Sequence, residues 1–174
     1  MSWGKFILIA LGSLAFVIVP TQLDANTPKL EQAAKWREKP TVRVCYNLPV
    51  FQYKIERALM FWRYLGYEFG EIIYDDASEY CTGNKTTGSI VIMPNRKYLG
   101  DGKFAITTRY AFEKSKRITG ARIEIARQAY GEELLLEHEI GHALGWTHSP
   151  YKGHIMYPFL RQSGTNSDGL RKRS

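Results

Sequence analysis

Three histidines and one glutamate near the C-terminus stand at spacings that could bind a metal ion and use it. His138 and His142 are four residues apart, and His148 follows six positions later. Residues four apart lie on one face of an α-helix, so the first two imidazoles can point at one metal ion. Because neutral imidazole is a preferred ligand of Zn²⁺, the spacing predicts a zinc site.

Glu139 and Gly145 give this site a catalytic character. Glu139 follows His138 on the helix and can reach a water at the metal without being a ligand, which is the position of a general base. Gly145 tolerates a positive φ, so it can end the helix and turn the chain until His148 reaches the metal. Three protein ligands leave the fourth zinc position for water. A helix with histidines as polar surface groups is the alternative, and it leaves Gly145 and His148 unexplained.

The run from His138 to His148 reads H-E-x-x-H-x-x-G-x-x-H, and Met156 follows eight residues later. This order resembles the signature of the metzincin metallopeptidases, in which a Met-turn follows the third histidine. Gly141 inside the helix, Ser149 directly after His148, and the run Met156-Tyr157-Pro158 are similar to the matrixins, the matrix-metalloproteinase type.

The resemblance implies a fold and an activity. The fold is α/β of the α+β zincin type, a metzincin-like catalytic domain with a mixed twisted sheet, a backing helix and an active-site helix. The activity is zinc-dependent hydrolysis of internal peptide bonds, with the three histidines as ligands and Glu139 as general base. Met156 forms an apolar floor beneath the imidazoles, and a protein or peptide substrate lies along an edge strand within residues 104–112.

Other features depart from the matrixin pattern. No cysteine-switch segment is present and residues 26–40 leave no room for a long pro-domain, so thiol-based latency is not expected. The chain has only four histidines, so a second zinc held by several histidines is not expected. His154 is close to the Met-turn, and we expect a surface or supporting role for it. The polar residues after Pro158 are too few for the helix that usually ends a matrixin, which leaves the shape of the specificity pocket open.

The N-terminus predicts export. Residues 6–19 form an uncharged apolar run after Lys5, and Leu23-Asp24-Ala25 is an imperfect cleavage site. The run is shorter than the roughly 20 residues of a membrane-spanning helix. A cleaved signal peptide and an uncleaved anchor both remain open, so the protein is expected to be extracellular, periplasmic or membrane-anchored. Export permits a disulfide between Cys45 and Cys81, with two free buried thiols as the alternative.

The net charge of +7 favours anionic partners such as acidic cell surfaces. No nucleic-acid-binding motif accompanies the charge, so a nucleic-acid partner is not expected. A membrane contact is expected only through an uncleaved N-terminal segment. Zn²⁺ is the one cofactor that the sequence supports; Ca²⁺ is unsupported, because Asp75, Asp76 and Asp101 are only carboxylates in loops.

A length of 174 residues predicts one folded domain. We divide the chain into a signal peptide or anchor (1–25), a lead-in (26–40), the metzincin-like catalytic domain (41–160) and a polar basic tail (161–174). Periodicity predicts an active-site helix opened by Glu132 and Glu133, where acidic side chains suit the helix dipole. It also predicts strands at 41–46, 67–74, 89–93, 104–112 and 117–126, a helix at 51–65 and a loop at 81–88. The turn at residues 113–116 could join the last two strands as a hairpin.

Two other functions remain open. A zinc-holding module could bind a peptide or a cell surface without turnover, although such a module has no need of Glu139 as a base. A peptidase could instead cut the peptide cross-links of a bacterial cell wall, which would suit the positive charge.

Overall fold

The structure is a computed structural model, and it describes residues 30–83, 85–95 and 103–172. The predicted signal segment lies outside these residues, and no described helix is long and apolar enough to cross a membrane. The described residues form a six-stranded sheet, three α-helices and two short 3₁₀ turns. The strands and α-helices are β1 (Lys35–Trp36), β2 (Thr41–Cys45), α1 (Gln52–Tyr64), β3 (Ile72–Asp76), α2 (Glu79–Thr82), β4 (Ser89–Pro94), β5 (Ala105–Phe112), β6 (Arg117–Ile125) and α3 (Leu135–Ala143).

The sheet is mixed: among the described strands one pair, β5 and β6, is antiparallel, and it lies at an edge of the sheet. β3, β2, β4 and β6 are neighbours in that order and run parallel. β5 pairs antiparallel with β6 as a hairpin, as the sequence predicts. The short β1 pairs with the start of β6, and β4 pairs with the end of β6. β5 therefore occupies the other edge of β6. β5 is therefore an edge strand of the described sheet.

The core lies between one face of the sheet and the helices α1 and α3. Alternate strand residues such as Val42, Ile90 and Ile123 are fully buried against Trp62 of α1 and Ile140 of α3. The period-two pattern of the strands and the 3.6-residue period of the helices place these side chains on facing surfaces. Packing between α1 and α3 thus fixes the helix that carries the metal-site motif.

The other face of the sheet carries α2 and a disulfide. Cys45 at the end of β2 bonds to Cys81 in α2, and both pack beside Val91 and Met93 of β4. Cys81 therefore lies in a short helix, and the prediction that it opens a loop was wrong at that point. Ser78 caps this helix by accepting a hydrogen bond from the Tyr80 amide. The cap is a local sequence signal for a helix start, but a helix of four residues is too short to show helical periodicity.

The predicted strand at residues 67–74 was wrong in its first half. The ladder begins only at Ile72, although Tyr67 and Phe69 are both buried and gave the alternating pattern. Gly66 has a φ of 92° and turns the chain, and the Gly70 amide donates to the Pro40 carbonyl instead of to a strand partner. Tyr67 and Phe69 therefore insert into the core before the strand begins.

The active-site helix begins later than its acidic residues predicted. Leu134 adopts a left-handed conformation with φ 60°, so Glu132 and Glu133 precede the helix and do not form its first turn. Glu133 instead forms ion pairs with Lys54 and Arg57 of α1. The predicted role of both glutamates at the helix dipole was therefore wrong.

Both ends of the described chain pack on this domain. The Ala33 amide donates to the Gly145 carbonyl, and β1 follows directly. At the other end a 3₁₀ turn, Leu160–Gln162, follows Pro158, and no α-helix follows it among the described residues. Leu170 is fully buried, and the Lys172 amide donates to the Leu65 carbonyl. The last described residues therefore contribute to the core.

Candidate active site

Three imidazoles from α3 and the loop after it converge on one point. Nε2 of His142 lies 3.1 Å from Nε2 of His138 and 3.1 Å from Nε2 of His148. One nitrogen from each residue lies within 4.8 Å of the other two. Ligands on a tetrahedral zinc with bonds of 2.0–2.1 Å stand ~3.3 Å apart, so these three residues fit one zinc ion.

Backbone carbonyls orient two of the imidazoles. Nδ1 of His138 donates to the Ile155 carbonyl at 2.8 Å, and Nδ1 of His142 donates to the Trp146 carbonyl at 2.9 Å. Since a carbonyl only accepts, each neutral ring carries its proton on Nδ1 and leaves the Nε2 lone pair for a metal. Burial lowers the pKa of His138 to about 4 and that of His142 to about 3, so both are neutral at pH 7.

Gly145 ends the helix by the turn that the sequence predicted. Its φ is 104°, and its amide donates to the His142 carbonyl. A Cβ at this position would also collide with the Ala34 carbonyl, because the N-terminal segment passes directly over the turn. Gly145 is therefore required both by its backbone conformation and by the close approach of a distant segment.

Glu139 lies buried beside the imidazoles, and one side chain of the described residues bonds to its carboxyl group. Its Oε2 accepts a hydrogen bond from the Thr107 hydroxyl of β5 at 2.5 Å. Burial raises the pKa of Glu139 to about 7, and the hydrogen bond from Thr107 opposes this shift. A carboxyl group that titrates near neutral pH can both take up and release a proton there.

The Met156 segment packs directly beneath α3. Met156 is fully buried, and a Cβ on Gly141 would overlap its sulfur and the ring of Trp62. The Ser149 amide donates to the Met156 carbonyl, which joins the segment after His148 to this turn. Gly141 thus allows the close packing of a buried methionine against the helix that carries two of the imidazoles.

His154 holds the same turn from inside the protein. It is only 2% exposed; its Nδ1 accepts from the Met156 amide, and its Nε2 donates to the Asp168 carbonyl. Both ring nitrogens are therefore used by the backbone, and the group that could hold a metal does not include His154. Its imidazole links the turn to the C-terminal segment.

The site opens into a cleft of about 710 Å³. The three imidazoles and Glu139 lie on its floor, and residues of β5 form one wall. Apolar side chains surround one end, namely Phe104, Leu135, Pro158, Phe159 and Leu160. At the other end Arg109 of β5 donates to the His142 and Trp146 carbonyls at 3.0 and 3.3 Å.

Sequence reasoning missed Thr107 and Arg109 as parts of the site. The alternation of residues 104–112 did place both on the same face of the strand as Ala105. The signal that could have identified them is that a polar and a charged residue share a strand face with Ala105. Their partners, however, lie more than 30 residues away in sequence.

Asp76, one of the carboxylates considered for calcium, is already paired. It is 6% exposed, binds Arg43 at 2.9 Å and accepts a hydrogen bond from the Ser78 amide. The hydrogen bonds from Ser78 and Arg43 hold its pKa below the ordinary value, against the effect of burial. Asp101 lies outside the described residues.

Comparison with known proteins identifies the family. The matrixin family model matches residues 52–172, so the chain belongs to the matrixin family, as its motif predicts. The fold is similar to that in the crystal structure of metalloproteinase-II from Bacteroides fragilis, with a TM-score of 0.51 and 14% identity. The match covers 79% of this chain and 51% of that one, so the chain spans about half of that protein's length. Comparison with curated protein sequences gives no match.

The prediction of a metzincin-like fold with a mixed sheet is confirmed by the strand pairing and by this family match. The histidine triad is consistent with the catalytic zinc that the motif predicts.

Proposed function

We propose that the protein is an exported zinc-dependent endopeptidase that hydrolyses internal peptide bonds in proteins or peptides. The observation that carries the proposal is the convergence of three neutral imidazoles beside a buried carboxyl group on the floor of an open cleft. A site that only held a structural metal would be closed by a fourth protein ligand. The Cys45–Cys81 disulfide is compatible with export, and the export signal itself rests on residues 1–25.

The described residues supply distinct parts of the reaction. His138, His142 and His148 would hold Zn²⁺, which when bound lowers the pKa of a bound water to about 7 and polarises the scissile carbonyl. Glu139 takes a proton from the attacking water and delivers it to the leaving amine. Thr107 fixes the carboxylate of Glu139 by its hydrogen bond, so that the free oxygen faces the reacting groups.

The edge strand β5 is the binding surface for the substrate. Among the described strands it pairs only with β6, so its other edge can add an extended peptide as a further strand. The apolar end of the cleft, around Phe104, Leu135 and Leu160, takes one apolar side chain of that peptide. No full helix follows Pro158 in the described chain. The 3₁₀ turn at Leu160–Gln162 closes this end of the cleft instead.

A first experiment combines metal content with cleavage. Zinc is measured in the purified protein, and a quenched peptide library is offered with and without a chelator. We expect about one zinc per chain and cleavage that the chelator abolishes. The Glu139→Ala variant should keep its zinc and lose turnover, while Glu113→Ala in the exposed β5–β6 turn removes the same charge and should keep both.

Other outcomes would change the function. Full zinc without cleavage of any peptide would favour the binding module, and turnover by Glu139→Ala would exclude this residue as the base. Zymography against casein and against purified peptidoglycan separates a general endopeptidase from an enzyme for cell-wall cross-links. Lack of zinc would contradict the metallopeptidase itself.

A further inference from the structure

The cleft carries an excess of positive charge. Lys103, Arg109 and Arg161 line it, and among its lining residues that the structure describes Glu139 is the one carboxylate. In the proposed function Glu139 acts as the base. The positive charges of the cleft therefore face the substrate. Low-dielectric walls strengthen the field of such a cleft and raise the local concentration of acidic groups.

Arg109 differs from the other two cations in its surroundings. Arg161 is 75% exposed and pairs with Glu132, and Lys103 is exposed. Arg109 is half-buried, and no carboxylate of the described residues forms an ion pair with it. Its Nη1 donates to the carbonyls of His142 and Trp146, and burial without a counter-charge lowers its pKa.

The remaining donors of Arg109 are available to a ligand. A guanidinium group has five N–H donors in a planar fork, and the described structure engages only Nη1. The residue lines the open cleft, so a ligand can reach the other donors. The fork matches a carboxylate, which would also supply the charge that the protein does not provide.

The position of Arg109 along β5 sets its distance from the reacting bond. Thr107 is level with Glu139, and Arg109 is the next residue on the same face of the strand. Two residues of an extended chain span roughly 6.6–6.8 Å. A peptide added along β5 therefore places a side chain near Arg109 about two positions from the bond above Glu139, on the side away from Phe104 and Leu160.

We propose that Arg109 is a specificity-determining residue that binds an acidic side chain of the peptide substrate, about two residues from the scissile bond. The substrate is then an acidic peptide segment with its apolar side chain at the opposite end of the cleft. This inference rests on the proposed peptidase function, because it concerns the same site.

The test uses pairs of quenched peptides that differ only by Glu or Gln at one position. With the zinc-loaded protein we expect kcat/KM to be about 10–100 times higher for Glu at one position, as for a charged hydrogen bond. Arg109→Gln should lose this preference, so that its kcat/KM values for the Glu and Gln peptides become equal, whatever its absolute rate. Lys114→Gln, exposed in the turn of the same hairpin, removes an equal charge outside the cleft and should keep the preference.

Binding of the same peptides to the Glu139→Ala protein separates the two proposals. Preference for Glu that depends on Arg109, without any cleavage by the wild type, would support this inference and contradict the peptidase function. Cleavage with equal rates for Glu and Gln at every position would overturn this inference alone. A preference that persists in Arg109→Gln would also overturn it. If the protein shows no cleavage and no preference for Glu, both proposals are overturned.

Discussion

The Thr107 hydroxyl of the edge strand lies 2.5 Å from the carboxylate of Glu139 in the metal-site helix. This bond joins the strand expected to bind substrate to the residue expected to move the proton. It leaves one carboxylate oxygen of Glu139 without a side-chain partner among the described residues, and Glu139 lines the cleft.

Thr107→Val should lower kcat by about tenfold or more. Valine has a similar shape but no hydroxyl, and a hydrogen bond to a charged group contributes about 1.5–3 kcal/mol. Thr107→Ser restores the donor and should recover most of the activity. Zinc content is measured in both variants and should not change; equal kcat values for Val and Ser would contradict a role for the hydroxyl.

Gly141→Ala should destabilise the protein by about 1–3 kcal/mol, since its Cβ would overlap Met156 and Trp62 in a packed core. Urea unfolding measures the change. Gly131→Ala is the matched control, because a Cβ there meets no atom within 4 Å and the φ of Gly131 is not positive. If the two variants unfold alike, the close packing under α3 is not needed for stability.

Loss of the Cys45–Cys81 disulfide should lower the free energy of unfolding by about 3–4 kcal/mol. The bond closes a loop with a sequence separation of 36, and its removal returns chain entropy to the unfolded state. The Cys45→Ala/Cys81→Ala protein should keep its zinc, because α2 lies on the sheet face opposite α3. A phosphine reductant should destabilise the wild type and leave the double variant unaffected.

The metal-free protein should lose stability when the pH falls below about 6.5. His138 and His142 titrate near 6.5 when unfolded and at about 4 and 3 when folded, so acid favours the unfolded chain. Glu139 opposes this, since its pKa is about 7 when folded and near 4.5 when unfolded, and its contribution fades as the pH rises towards 7. Between pH 4.5 and 6.5 the unfolded chain takes up protons on two histidines, whereas the folded protein takes up one on Glu139. The free energy of unfolding therefore falls as the pH falls through this range.

We expect the free energy of unfolding of the chelator-treated protein to be about 1–2 kcal/mol lower at pH 5 than at pH 7.5. Urea titrations at the two pH values measure it. The His138→Gln/His142→Gln protein lacks both imidazoles and should instead be more stable at pH 5, through Glu139. An unchanged pH dependence in that variant would show that these residues do not titrate as their burial requires.

The site motif could be predicted from sequence because its geometry is local. The i, i+4 spacing puts His138 and His142 on one helical face, and Gly145 turns the chain towards His148 over three residues. The hairpin of β5 and β6 was predicted correctly for the same reason, since alternation and a short turn specify it. Helical periodicity located α1 and α3 within a few residues.

Only the tertiary structure decided which distant groups complete the site. Thr107 meets Glu139, Arg109 meets the His142 carbonyl, and Ala34 closes over Gly145, each across more than 30 residues of sequence. Periodicity reports the face on which a side chain lies, but not its partner on another element. For that reason residues 67–71 looked like a strand although the ladder with β2 begins only at Ile72, and Glu133 looked like a helix start although it pairs with α1. Those contacts depend on how the helices and the sheet pack together, which no local pattern specifies.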